Sequence, residues 1–216
     1  MQTVFENFDL LLRGLRITIA LAAVTILIGT ILGVLGGVGL LYGPLLIRLP
    51  LRVYSDIVRG TPLLVQIFVI YYGLPALDVQ INGFRAATVA LALFAGAHVS
   101  EVVRGAVGAV PRGQSDAAKS LGLTFWPRLR YVVLPQAVPL ILPPWVNTAV
   151  ELVKGTSLVV LVSVSDLLFA TRKVAERTGD PMPIYITAAL IYFFVNFGIS
   201  RFGFWLERRF RFAVAS

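Results

Sequence analysis

Between Ile17 and Ile47 the chain carries no Asp, Glu, Lys or Arg. A helix needs roughly 20 apolar residues to cross the hydrocarbon core of a bilayer, so this run spans, and its glycine-rich far end extends past the bilayer. Gly60 to Leu77, containing Pro62 and Pro75, is also free of charge, as is Ala86 to Ser100, where helix is expected to continue through Glu101 toward Gly105. A fourth run, Tyr131 to Val150, holds Pro135, Pro139, Pro143 and Pro144. Prolines remove helical donors and clash with the preceding turn, so a break is expected there, with helix resuming through Glu151 toward Ser165. Pro181 to Ser200 is the fifth. The expected fold is an all-α integral membrane protein of about five transmembrane helices, one domain over residues 1–216.

Composition agrees. Only 14% of residues are charged and 57% are hydrophobic, with a mean hydropathy of +0.84, against roughly 25% and 45–50% in soluble domains. With no cysteine and a single histidine, His98, neither a disulfide framework nor a thiolate or histidine metal cluster is available. The start of the chain is acidic where a signal peptide is basic, so the first span is expected to be retained. The net charge of +8 reflects topology, because basic residues collect in cytoplasmic loops. No basic run interleaves with aromatics as a nucleic-acid site would.

Loop charge also orients the chain. Arg48, Arg52 and Arg59, then Arg112, Lys119, Arg128 and Arg130, then Arg208, Arg209 and Arg211 put ten basic residues on one side. Arg13, Arg16, Arg85, Arg172, Lys173 and Arg177 put six on the other. The positive-inside rule places the N-terminus outside and the C-terminus in the cytoplasm. In the first span, Gly29, Gly33 and Gly37 recur every four residues. Such spacing lets two backbones approach closely in lipid, either within one subunit or between two.

The loop of residues 111–130 is the most informative stretch. Gln114 to Leu121 reads as a short amphipathic helix, with Ala117, Ala118 and Leu121 on one side and Gln114 and Asp116 among the polar residues. Gly122 supplies the stop. A small helix with an alanine face suits insertion into a partner's cleft. Asp116-Ala117-Ala118, three residues, Gly122, nine residues, then Val132-Val133-Leu134-Pro135 resembles the Glu-Ala-Ala…Gly loop of membrane subunits of ATP-binding-cassette importers, with Asp for Glu and Val for Ile. Three more stretches resemble the polar-amino-acid branch of that family: Arg59-Gly60-Thr61-Pro62-Leu63-Leu64-Val65-Gln66, Ser100-Glu101-Val102-Val103-Arg104-Gly105, and Glu151-Leu152-Val153-Lys154-Gly155-Thr156-Ser157-Leu158. Many relatives have Asp where this chain has Gly155.

The resemblance implies the permease subunit of an amino-acid importer in a bacterial inner membrane. It also implies a second permease subunit, identical or homologous, and an external substrate-binding protein. Two cytoplasmic ATPase subunits would bind ATP and Mg and grip the loop through Gln114, Asp116, Ala117, Ala118, Leu121 and Gly122. The chain's own lysines follow Ala118, Val153 and Arg172, never a glycine, so it has no Gly-Lys-Ser/Thr phosphate loop and no cofactor of its own is expected.

Ionisable residues within spans are functional candidates. Asn147, Glu151 and Lys154 share a helix face at i, i+4 and i+7, with Thr156 and Ser157 just beyond. That face could satisfy the ammonium and carboxylate of an amino acid, or Glu151 and Lys154 could simply neutralise each other. Glu101 and Arg104 are either pocket residues or an interfacial pair. His98 and Gln66 are either substrate contacts or hydrogen-bonded packing residues, and Asp166 either meets solvent or caps a helix. Two other functions compete: a self-sufficient channel or secondary transporter, whose inverted repeats are not evident, and a structural subunit whose partner alone binds substrate. No His-Glu-x-x-His, paired aspartates or Gly-x-Ser-x-Gly supports an intramembrane enzyme.

Overall fold

The computed structural model describes residue 4 and residues 6–215, with side chains through Phe210. Met1, Gln2, Thr3 and Phe5 at the start of the chain and the side chain of Arg211 lie outside that description. Among the described residues there is no strand. Four helical stretches are long and apolar enough to cross a membrane, or five if one bent pair counts as a span.

Helix α1 (Phe8–Tyr42) stays helical through its glycines and stops at Gly43-Pro44. Helix α4 (Gly83–Ala109) lies against it along the glycine repeat. A Cβ on Gly29 would overlap that of Ala95, and one on Gly33 would overlap that of Val99. One on Gly37 would come within 2.7 Å of the Val103 Cβ. Two four-residue repeats therefore mesh backbone to backbone, so the close approach is internal to the subunit.

The second expected span is corrected in form. Helix starts upstream of Gly60, as α2 (Leu45–Gly60), and resumes as α3 (Leu63–Gly73) with a 3₁₀ turn at Pro75–Leu77. The two parts meet at 110°. Pro62 has no N–H and holds Thr61 extended, at φ −115° and ψ 143°. Two side chains meet carbonyls at the corner: Gln66 Nε2 donates to Val58 O at 2.7 Å and Thr61 O at 3.0 Å, and Thr61 Oγ1 donates to Ile57 O at 2.9 Å. Gln66 thus splints the bend.

The proline-rich segment is also a correction, since no break falls at the prolines. After α5 (Arg112–Ser120), α6 (Phe125–Arg128) runs through a π-helical turn, Leu129–Val133, into α7 (Leu134–Gly155). Pro139, Pro143 and Pro144 sit inside α7. Pro135 falls in its first turn, directly after the π-helical turn. Pro139, Pro143 and Pro144 each remove one donor from the ladder, as helices packed among others in a membrane tolerate. Gln136 Nε2 donates to Val132 O, and Trp145 Nε1 ties α7 to Thr30 Oγ1 of α1. The helix tightens to 3₁₀ at Thr156–Val162 and ends at Ser163, φ 60°.

Asp166 then caps α8 (Leu167–Thr178), accepting from Phe169 N at 2.9 Å while fully buried. Burial pushes its carboxyl above the usual carboxylate range, against the pull of the cap bonds. The last helix, α9 (Pro181–Ala215), leaves most of its aromatic residues exposed, Phe193, Phe194 and Phe197 among them.

Candidate functional site

Facing sides of α4 and α7 leave a cavity of about 580 Å³. Helix α4 contributes His98, Glu101, Val102, Gly105, Ala106 and Ala109, and α7 contributes Leu140, Pro144, Asn147 and Thr148. Both sets follow helical spacing, so each is one face. Arg59, at the end of α2 just before the 110° corner, reaches the same space.

Glu101 is the electrostatic centre. Its Oε2 accepts from Arg104 Nε at 2.9 Å and Nη2 at 2.7 Å. Arg59 Nη1 stands 3.8 Å from that same oxygen, beyond hydrogen-bond reach. Among the described residues, nothing bonds Glu101 Oε1, and the Arg59 guanidinium makes no hydrogen bond. The wall therefore offers one carboxylate oxygen and one guanidinium fork with unspent capacity, side by side. Their combined charge with Arg104 is one positive in excess.

His98 adds a defined acceptor. Its ring lies on Phe94, with centroids 4.1 Å apart, and its Nδ1 is 2.9 Å from Phe94 O. A carbonyl can only accept, so Nδ1 carries a proton, and in the neutral ring Nε2 is left as the acceptor. Thr148 spends its hydroxyl on Pro144 O at 3.1 Å. Asn147 is exposed and, among the described residues, unbonded.

The expected site residues thus divide. His98, Glu101 and Asn147 come together at the cavity, with Arg104 behind Glu101. Glu151 and Lys154 lie on the exposed side of α7, continuing the stripe of Asn147, but do not line the cavity. No ion pair joins them among the described residues. Thr156 is buried and donates to Val153 O, while Ser157 donates to Lys154 O. Arg59 was not singled out from the sequence, although it opens the Arg59-Gly60-Thr61-Pro62 stretch; its neighbour Glu101 is 42 positions away in the chain.

A second surface is built at α5. Leu121 follows its last turn, and Gly122 takes φ 77°. Gly122 N donates to Lys119 O and Leu123 N to Ala118 O, the paired bonds of a Schellman stop. The alanine pair is split. Ala118 is buried in this chain, whereas Ala117, Gln114 and Asp116 are exposed and Leu121 is 82% exposed. Asp116 pairs with Lys119 at 3.0 Å.

Comparison with known proteins places these features in one family. Residues 25–212 match the model of "Binding-protein-dependent transport system inner membrane component". The probable amino-acid ABC transporter permease protein YckA of Bacillus subtilis (strain 168) is 33% identical over 187 residues, 87% of this chain and 83% of the relative. The L-cystine transport system permease protein TcyB of the same strain is 36% identical, over 94% of this chain and 87% of that one. A crystal structure of an amino acid ABC transporter with histidines superposes with a TM-score of 0.90 at 33% identity, covering 96% of this chain and 97% of the other. A multi-pass protein with this fold over nearly its whole length, the chain belongs to the family of inner membrane components of binding-protein-dependent transport systems.

Proposed function

We propose that this chain is the permease subunit of an ATP-driven amino-acid importer and that the cavity between α4 and α7 is its substrate contact. The observation that carries this reading is the unspent pair at the polar end of the cavity: Arg59 for a carboxylate, Glu101 Oε1 for an ammonium. His98 Nε2 and the Asn147 amide add neutral partners. An amino acid presents the complementary groups on adjacent atoms. The polar stripe of Asn147, Glu151 and Lys154 continues the path along α7. The similarity to an amino-acid permease and an L-cystine permease supports the same cargo class.

A cavity open on one side implies a second permease subunit across it. The exposed Gln114, Asp116, Ala117 and Leu121 of the α5 region are assigned to a cytoplasmic ATPase subunit, one for each permease, which supplies the ATP and Mg chemistry absent from this chain. An external binding protein delivers the substrate. Vesicles reconstituted with the permease pair, ATPases and binding protein should accumulate an amino acid only with ATP inside the ATPase-facing compartment. Accumulation driven by an ion gradient in the absence of the ATPases would overturn the reading in favour of a secondary transporter.

The orientation follows the loop charges, with α5 in the cytoplasm and the end of α8 outside. In this cysteine-free chain, Ser115→Cys should react with an impermeant maleimide only in inverted vesicles. Asp180→Cys should react only in intact spheroplasts. Reaction of both from one side would reverse the assignment.

A further inference from the structure

The cavity is polar at one end and apolar along the rest. His98, Glu101 and Arg59 gather at the polar end with Asn147 opposite, and from His98 to Ala109 the α4 face runs on for about 16 Å at 1.5 Å per residue. Past Glu101 that face offers Val102, Gly105, Ala106 and Ala109, and the α7 face offers Pro144 and Leu140. No ionisable side chain is among them. Thr148, the remaining hydroxyl, is already committed to Pro144 O.

We infer that the cavity selects amino acids whose side chains carry no charge and have an apolar body, Arg59 and Glu101 being consumed by the main-chain carboxylate and ammonium. This rests on reading the cavity as the amino-acid contact. A zwitterion uses the two unspent groups once each. A further positive charge on a side chain lying toward Leu140 would meet no second carboxylate: among the described residues that line the cavity Glu101 is the only acidic one, its Oε2 is held by Arg104, and Glu151 lies one turn beyond Asn147, away from Leu140. A further negative charge would compete for Arg59 or lie against Val102, Ala106 and Leu140, where burying it without a partner is unfavourable. Apolar side chains lose nothing there and remove apolar wall from water. Leu140 is the specificity-determining position we single out, because it sits at the apolar end, is exposed toward the cavity, and is not packed into the core.

The test is equilibrium binding of radiolabelled leucine, methionine, arginine and glutamate to the purified permease–ATPase complex, without the binding protein, so that only the membrane site selects. Leucine or methionine should bind at least tenfold more tightly than arginine and glutamate. In the complex carrying Leu140→Glu, arginine should gain at least tenfold relative to leucine. Arginine or glutamate binding the native complex as tightly as leucine would overturn the inference while leaving the amino-acid reading of the cavity intact. Binding of none of the four, by a complex that is monodisperse and hydrolyses ATP, would overturn the reading of the cavity and the inference with it. An unaltered arginine-to-leucine ratio in a well-assembled Leu140→Glu complex would also count against it.

Discussion

Gly33→Leu should leave almost no folded protein in the membrane. At Gly33 the α1 backbone touches α4 so closely that even a methyl group would occupy the space of Val99 Cβ. The nearby atoms include the Gly96 carbonyl oxygen, so a rotamer change cannot relieve the overlap, and the helices must part along neighbouring turns as well. Overpacking of a close core costs about 1–3 kcal/mol and sometimes more. Here the added loss of contact at Gly29 and Gly37 sets the expectation at or above the upper end of that range. Gly198→Ala is the matched comparison, because a Cβ there meets nothing within 4 Å. It should be neutral or stabilising by up to about 1 kcal/mol, the difference in helix propensity. Thermal melts monitored by size-exclusion fluorescence distinguish the two. A Gly33→Leu protein that melts with the native one would remove the seam from the account of the fold.

The second large effect falls on transport. Glu101→Gln keeps the shape of the side chain but removes the charge that faces Arg59 and Arg104 and the oxygen assigned to the substrate ammonium. A hydrogen bond to a charged group contributes about 1.5–3 kcal/mol, so uptake at subsaturating substrate should fall by about 10- to 150-fold at a tenfold change per 1.4 kcal/mol. A structural role would produce a similar loss by leaving two arginines uncompensated. Glu101→Gln combined with Arg104→Gln separates the cases. If Glu101 only balances Arg104, the double variant recovers uptake; if it holds the ammonium, uptake stays low at normal protein level. Recovery would move the substrate contact away from Glu101.

The spans were readable wherever charge was absent over a long enough run, as from Ile17 onward and from Pro181 onward, because lipid penalises charge irrespective of tertiary packing. The stop at Gly122 was readable for a local reason as well: its backbone conformation and bonds involve only Lys119 and Ala118. Helix α2 was not. Arg48, Arg52, Asp56 and Arg59 interrupt its apolar residues and read as a charged loop, while Leu46, Leu49, Val53 and Ile57 hold a helical spacing that leaves them exposed on this subunit. The prolines of α7 were read as a break because the sequence does not reveal the neighbours that hold that helix, such as Thr30 on Trp145. The cavity failed for a related reason. Asn147, Glu151 and Lys154 share a face by spacing alone, but which part of that face meets α4, and that Arg59 arrives there from the 110° corner, depends on packing between distant segments.

The interlocked repeats of α1 and α4 also constrain how the molecule can work as a machine. Sliding between helices needs slack between their surfaces, and over Gly29, Gly33 and Gly37 the α1 backbone rests directly on Ala95, Val99 and Val103 of α4 and leaves none. The pair therefore behaves as one lever. Any change in the width of the space beside His98 and Glu101 has to come from α7 or the α2–α3 corner moving against it, so a crosslink that pins α1 to α4 should leave turnover intact, whereas one that pins α4 to α7 should arrest it.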